Sequence, residues 1–282
     1  MDIALPIAAI DRIVDLALEE DAARGDVTTR LTVGPGRLGV AHAAAREELA
    51  VAGLGVFARV FARVDSSIEV QRLAAEGAWV AAGARLATVR GRVAPILAGE
   101  RVALNILQRM CGIASTTRRF VEAAARGGRA RVCDTRKTTP GLRLLERYAV
   151  RCGGGHNHRE DLCSGVLIKD NHLAACGGVR PAVLAAKAGA PHPLRIEVEV
   201  TTLAELDEAL AAGADAVLLD NMDPGTMTEA VRRAAGHALV EASGGVRLET
   251  VEAIARTGVD VISVGALTHS ARAADIALDL EP

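Results

Sequence analysis

The C-terminal half of this chain alternates strand-like apolar runs with segments of helix length, and this alternation restricts the possible folds. The runs lie at residues 194–200, 216–219, 239–242 and 261–264. Buried parallel strands have near-continuous apolar sequences, because helices cover both faces of their sheet. Residues 211–217 and 256–262 repeat one pattern, in which a helix end and a glycine precede a buried strand. The alternation predicts an α/β barrel rather than an antiparallel sandwich.

The N-terminal third has mixed periodicity and predicts a separate, smaller domain. Apolar spacing over residues 7–21 predicts an amphipathic helix, and short strands follow near residues 40–44, 68–73 and 86–89. A long helical pattern begins at Pro95, a residue favoured in the first helical turn. We place the domain boundary at the end of that pattern. The predicted domains are 1–112, with the tail 270–282 packed back on it, and 113–269 for the barrel.

Composition excludes several classes of protein. No apolar run in the 282 residues approaches the roughly 18 that a membrane span requires. The first residues lack the basic segment and apolar run of a secretory signal, so a cytoplasmic location is expected. The five cysteines form no Cys-x-x-Cys pair, which argues against a disulfide framework or a zinc ribbon. We therefore expect a protein with no membrane partner.

The net charge of −2 conceals a strongly basic segment at residues 129–159. Eight basic side chains there oppose only Asp134 and Glu146: Arg129, Arg131, Arg136, Lys137, Arg143, Arg147, Arg151 and Arg159. With one Trp, one Tyr and three Phe in the chain, the aromatic platform of a single-strand nucleic-acid binder is missing. A small, highly charged metabolite is the expected anion. The alternative is that the arginines spaced by four decorate a solvated helix face.

Lysine is rare in this chain, and two of its three lysines lie in polar clusters. Lys137 follows Arg136, and Lys169 precedes Asp170, whereas Lys187 lies in a helical pattern. An ammonium is a compact charge with a movable pKa, which a guanidinium cannot replace in a tight pocket. Lys137 and Lys169 are therefore predicted to bind an anionic substrate. The alternative is ion pairing with the acids at positions 160, 161 and 170.

Polar residues close four successive predicted strands: Glu199, Asp220, Ser243 and Gly265. The catalytic groups of α/β barrels gather at this carboxyl face. Glu199 and Asp220 offer the hard oxygen ligands that Mg²⁺ prefers when it shares substrate phosphates. The alternative is that these two carboxylates neutralise neighbouring cations.

Two glycine turns follow strands and precede helical segments, at Ser243-Gly244-Gly245 and at Gly265 before His269. Glycine lets the backbone approach an anion closely, and the first N–H groups of a helix attract negative charge. The two turns together predict phosphate binding.

These clusters closely resemble the motifs of the quinolinate phosphoribosyltransferase family. The matching segments are Asp134-Thr-Arg-Lys-Thr-Thr-Pro-Gly141, Gly153-Gly-Gly with His158-Arg159, Ile168-Lys-Asp-Asn-His172, Glu197-Val-Glu199, Leu219-Asp-Asn-Met222, Glu241-Ala-Ser-Gly-Gly245 and Ser263-Val-Gly265 with Thr268-His-Ser270. The resemblance continues at Glu20-Asp21, Gly25–Thr28 and Gly99–Asn105, so it covers essentially the whole chain.

The resemblance implies both a fold and a reaction. The fold is an N-terminal α/β sandwich domain plus an incomplete, about seven-stranded α/β barrel, assembled as a homodimer or a multiple of dimers. The reaction is phosphoribosyl transfer from phosphoribosyl pyrophosphate (PRPP) to quinolinate with decarboxylation. Its products are nicotinate mononucleotide, pyrophosphate and CO₂, in de novo NAD biosynthesis.

The resemblance also implies roles for individual residues. Lys137, Glu199 and Asp220 would be catalytic, with Mg²⁺ at Glu199 and Asp220. The quinolinate ligands would be Arg136, Lys137, His158, Arg159 and Lys169, with Arg101 donated by the neighbouring subunit. The PRPP ligands would be Glu199, Asp220, Ser243, Gly244, Gly245, Gly265 and His269.

Two other functions are compatible with a barrel of this kind. One is an accessory protein like the molybdenum-uptake-associated relatives of the family, which would be expected to lack one of the quinolinate cations. The other is a Schiff-base aldolase, in which Lys169 at a strand end would attack a carbonyl.

Overall fold

The structure, a computed structural model, describes residues 5–281, and these residues form two units. The first unit comprises residues 5–118, 138–154 and 270–281, and the second comprises 119–137 and 155–269. Residues 1–4, which include most of the segment considered for a secretory signal, and residue 282 of the predicted tail lie outside the described residues.

The described residues form twelve strands and eleven helices, and in the second unit strands and helices alternate. The strands are β1 (Leu38–Ala45), β2 (Leu49–Ala50), β3 (Glu69–Arg72), β4 (Trp79–Val80), β5 (Arg85–Arg92), β6 (Arg131–Cys133), β7 (Val166–Ile168), β8 (Ile196–Val200), β9 (Ala216–Asp220), β10 (Leu239–Ser243), β11 (Val261–Ser263) and β12 (Ile276–Leu280). The helices are α1 (Ile7–Ala22), α2 (Val27–Thr32), α3 (Leu54–Val64), α4 (Val93–Gly127), α5 (Arg143–Cys152), α6 (Asp170–Cys176), α7 (Val179–Gly189), α8 (Leu203–Ala212), α9 (Pro224–Ala234), α10 (Val251–Arg256) and α11 (Ala266–His269).

The first unit is built around a four-stranded antiparallel sheet with strand order β12-β1-β5-β3. On β1 every second side chain is buried, at Ala41, Ala43 and Ala45, as expected for a sheet with one covered face. Phe57 and Phe61 of α3 are fully buried and meet edge to face, with ring centroids 5.1 Å apart. The predicted helix at 7–21 and the three predicted strands are confirmed.

Helix α5 and its flanking turns, residues 138–154, associate with the first unit. One contact that joins α5 to this unit is an ion pair: Glu146 on α5 is 1% exposed and accepts hydrogen bonds from Arg109 of α4 and from the Thr139 backbone N–H, at 2.8 and 3.0 Å. The sequence prediction assigned this segment to the barrel domain and placed the boundary at residue 112, which lies inside the unbroken α4. The spacing of apolar residues within α5 does not reveal which part of the protein covers its buried face.

The second unit contains a parallel sheet of six strands in the order β6-β11-β10-β9-β8-β7. Beside β6, a single parallel bridge joins Cys133 to His156 and occupies the position of a seventh strand. The incomplete barrel is thus confirmed, with six strands and one bridge where about seven strands were predicted. The carboxyl ends of all six strands lie at one edge.

Helix α8 shows why strands and helices alternate where the sequence repeats. Its first turn is fixed by a capping box, in which Thr202 accepts from the Glu205 N–H at 3.2 Å and Glu205 accepts from the Thr202 N–H at 3.1 Å. It ends at Gly213, whose φ of 81° is the left-handed conformation that glycine adopts without strain. Strand β9 follows directly.

None of the helices within residues 5–281 combines the length and the apolar character needed to cross a membrane.

Candidate functional site

A cavity of about 880 Å³ opens at the carboxyl ends of the parallel strands, and all of its lining residues belong to the second unit. Twelve predicted site residues line it: Arg136, Lys137, His158, Arg159, Lys169, Glu199, Asp220, Ser243, Gly244, Gly245, Gly265 and His269. Arg101, the remaining predicted residue, lies exposed on α4 in the first unit. The strands place these residues together because parallel strands end at one edge.

Several cations line the cavity, among them Arg136, Lys137, Arg159 and Lys169. Burial lowers the pKa of Arg159, and the positive charge of Arg136 lowers it further. The Arg159 guanidinium donates to the Gly165 carbonyl at 3.1 Å, which holds the side chain in place. Neighbouring like charges favour an anionic ligand, because an anion relieves their repulsion.

Buried Asp134 holds the loop that carries His158 and Arg159. Asp134 follows β6, is 0% exposed, and accepts from the His158 backbone N–H at 2.8 Å and from Asn157 Nδ2 at 2.5 Å. A buried carboxylate that accepts several N–H groups is a strong anchor, since such hydrogen bonds are charge-assisted. The loop therefore cannot move without breaking buried contacts.

His158 faces two buried carboxylates inside the sheet. Its Nε2 lies 3.4 Å from Glu197 and 3.3 Å from Glu241, and Ser263 donates to the other oxygen of Glu241 at 2.5 Å. Hydrogen bonding to Glu197 and Glu241 raises the pKa of His158 to about 10, and burial raises the pKa of Glu197. The protonated form of His158 is therefore favoured above neutral pH.

The other ring nitrogen of His158 determines where the ring proton lies. When the ring is neutral, Nδ1 accepts the Arg159 backbone N–H at 2.7 Å and the ring proton lies on Nε2, between the two carboxylates. A metal bound through Nε2 would require the opposite arrangement, with the proton on Nδ1. The cluster is therefore interpreted as bridged by protons rather than as a metal centre.

The His158 cluster predicts that stability falls as pH rises. Unfolded histidine has a pKa of about 6.5, so the stabilisation from the raised pKa is complete below that pH and is lost as pH approaches 10. Urea unfolding between pH 6.5 and 10 would measure this loss. Glu241→Gln removes one carboxylate and should lose less stability over the same range. Equal losses in the two proteins would contradict the prediction.

Lys169 forms an ion pair with Glu199. Lys169 directly precedes α6, and Glu199 lies near the end of β8. The sequence offered the acids at positions 160, 161 and 170 as alternative partners, but Lys169 pairs with Glu199 instead. The pair does agree with the alternative for Glu199, in which it neutralises a neighbouring cation.

Gly265 allows two predicted ligands to converge. A Cβ atom added there would lie 3.1 Å from both His269 Nε2 and Lys137 Cδ. The Thr268 hydroxyl also donates to the Lys137 carbonyl at 2.7 Å. Backbone and side chain of Lys137 are thus held against the turn after β11.

Sequence reasoning assigned no role to several residues that support the site. They are Asp134, Asn157, Glu197, Asn221, Glu241 and Ser263. Period-two spacing could have found two of them, because Glu197 and Glu241 each lie two residues before a predicted ligand on the same strand and so share its face. An acid inside a buried strand requires a partner.

Comparisons with known proteins agree over nearly the whole chain. Residues 26–111 match the model "Quinolinate phosphoribosyl transferase, N-terminal domain", and residues 113–279 match that of the C-terminal domain. A probable nicotinate-nucleotide pyrophosphorylase [carboxylating] of Bacillus subtilis is 42% identical over 93% of this chain and 90% of its own length. The Mycobacterium leprae enzyme of that name is 44% identical over 94% of each chain. The structure of the Francisella tularensis nicotinate-nucleotide pyrophosphorylase superposes with a TM-score of 0.93, at 39% identity, covering 99% of this chain and 98% of the other.

Proposed function

This chain belongs to the quinolinate phosphoribosyltransferase family, and we propose that its cavity joins quinolinate to the ribose of PRPP and releases CO₂. The products are nicotinate mononucleotide, pyrophosphate and CO₂. The observation that carries the proposal is the convergence of twelve predicted ligands on one cavity at the strand ends.

The cations bind the two quinolinate carboxylates. Arg136, Lys137, Arg159 and Lys169 provide the positive charge, and each charge-assisted hydrogen bond contributes about 1.5 to 3 kcal/mol. His158 orients these cations, because its backbone N–H is bonded to Asp134 and its two ring nitrogens contact the Arg159 backbone N–H and Glu241. When quinolinate binds, Lys169 leaves its ion pair with Glu199 and pairs with a substrate carboxylate.

PRPP occupies the part of the cavity formed by the strand ends and the glycine turns. Glu199 and Asp220 face its ribose, and the turns at Ser243–Gly245 and Gly265, with His269, accept its phosphates. Glu199 and Asp220 end neighbouring strands and supply oxygen donors only, a set that fits Mg²⁺ shared with phosphate oxygens. When bound there, Mg²⁺ would supply charge neutralisation for the departing pyrophosphate.

Charge development determines what the side chains do. The pyridine nitrogen attacks ribose C1 while the C1–oxygen bond to pyrophosphate breaks. The Glu199 and Asp220 carboxylates stabilise the positive charge that grows on the ribose. The cationic side chains then hold the 2-carboxylate of quinolinate as its bond to the ring breaks and CO₂ leaves. The ring nitrogen accepts the electrons of that bond, and a proton replaces CO₂ at C2.

The direct test supplies purified protein with quinolinate, PRPP and Mg²⁺ and measures CO₂ and nicotinate mononucleotide. An accessory protein would form neither product. An aldolase would form a covalent adduct at Lys169 when a carbonyl substrate is trapped with borohydride, whereas we expect none. The relatives at 42% and 44% identity are named as enzymes of the proposed kind, which favours the transferase over the accessory role.

The homodimer and the donation of Arg101 across its interface are further parts of the proposal. An Arg101→Ala chain and a Lys169→Ala chain should each be inactive, but mixed dimers should recover about half of wild-type activity. Recovery arises because one site of the hybrid receives both intact residues. Verified mixed dimers without recovery would contradict a shared site. The cytoplasmic location stays a prediction.

A further inference from the structure

Asn221 has an unusual backbone conformation at the edge of the cavity. Within residues 5–281 it is the only residue other than glycine with a positive φ, at 54°. Residues held in sparsely populated conformations concentrate at functional sites, where the surrounding structure must maintain them. Neither the sequence motifs nor the proposed chemistry gives Asn221 a role, although it follows Asp220 directly.

Asn221 contacts the ends of two strands at once. Its side-chain Nδ2 donates to Asp220 Oδ2 at 3.0 Å, and its backbone N–H donates to the Ser243 carbonyl at 3.0 Å. Asp220 ends β9, and Ser243 ends β10. One residue therefore connects the carboxylate assigned to the ribose with the turn assigned to phosphate.

The amide of Asn221 also lies against that turn. A Cβ atom added at Gly244 would lie 2.5 Å from both Cγ and Oδ1 of Asn221. Gly244 itself has a φ of 87°, a conformation that side-chain-bearing residues rarely adopt. The close contact with Gly244, which has no side chain, and the hydrogen bond to Asp220 together determine where the Asn221 amide lies.

We propose that Asn221 is a positioning residue that holds Asp220 at a set distance from the Gly244–Gly245 turn, so that PRPP is recognised through its ribose and a phosphate together. This inference rests on the proposed function. It assigns Asn221 to PRPP and not to quinolinate, because its contacts with Asp220, Ser243 and Gly244 include none of the cations.

Asn221→Gly is the informative substitution. Glycine adopts a φ of 54° without strain, so the change removes the amide and leaves the backbone conformation available. We expect KM for PRPP to rise about tenfold, the effect of losing one charge-assisted hydrogen bond. KM for quinolinate should change less than about twofold, since the cations are untouched. The melting temperature should stay at the wild-type value.

Gly244→Ala tests the same contact from the other side. The added methyl group should displace the amide and raise KM for PRPP at least tenfold in the wild-type background. In an Asn221→Gly background the methyl group meets no amide, so the further rise should be less than about threefold. Gly236→Ala is the matched control, because Gly236 has a φ of 79° with no atom within 4 Å of an added Cβ. It should leave both KM values unchanged.

The outcomes separate this inference from the proposed function. A wild-type protein that forms no nicotinate mononucleotide contradicts the function itself. Active wild type with an unchanged KM for PRPP in Asn221→Gly overturns the positioning role. Equal rises in both KM values, or a large fall in melting temperature, also overturn it, because they indicate a general structural role. Additive effects of the two substitutions overturn the coupling between Asn221 and Gly244.

Discussion

Arg159→Ala should lower kcat/KM for quinolinate by about 100-fold, because a guanidinium can make two parallel charge-assisted hydrogen bonds to a carboxylate. Burial lowers the pKa of Arg159, so its charge lies in a partly desolvated position, where it attracts an anion more strongly than in water. KM for PRPP should change much less. Steady-state kinetics with each substrate varied in turn would measure both effects.

Arg159→Lys is the control for geometry. Lysine keeps the charge but replaces the planar fork by a single ammonium group, so it should restore only part of the lost activity. Wild-type kinetics for Arg159→Ala, with an unchanged melting temperature, would remove Arg159 from the quinolinate site. Full activity of Arg159→Lys would show that charge alone is sufficient.

Asp134→Ala should lower the free energy of unfolding by about 3 kcal/mol, because it leaves buried N–H donors without an acceptor. The donors are the His158 backbone and the Asn157 side chain, at 2.8 and 2.5 Å from the carboxylate. The loop that presents His158 and Arg159 should lose its fixed position, so KM for quinolinate should also rise at least tenfold. Urea unfolding and steady-state kinetics would measure the two effects.

Asp260→Ala provides a matched control for Asp134→Ala. The Asp260 carboxylate accepts a hydrogen bond from the Val240 backbone N–H at 2.9 Å, at the opposite ends of the strands from the cavity. Its loss should cost about 1 kcal/mol of stability and leave KM for quinolinate unchanged. Asp134→Ala with wild-type stability would show that the loop is held by other contacts. Equal effects on KM in the two variants would contradict a specific role for Asp134.

The positions of the predicted ligands followed from local sequence because barrel strands are regular. A buried apolar run ends where a polar residue follows, and in parallel strands all such ends lie at one edge. Glu199, Asp220 and Ser243 were placed correctly at strand ends for this reason. The domain boundary at residue 112 stays a prediction; the structure shows α4 continuing through that residue and Glu146 of α5 pairing with Arg109.

The sequence by itself determined the family, the order of strands and helices in the second unit, and the residues that reach the cavity. These depend on the periodicity of side chains along one element and on motifs of a few residues. Only the tertiary structure decided the partners of those residues: Lys169 with Glu199, His158 with two buried glutamates, and Asn221 with Asp220 and Gly244. Apart from Asn221 and Asp220, which are adjacent, these residues are distant in the chain, and which of them meet depends on the order and register of the strands in the folded sheet.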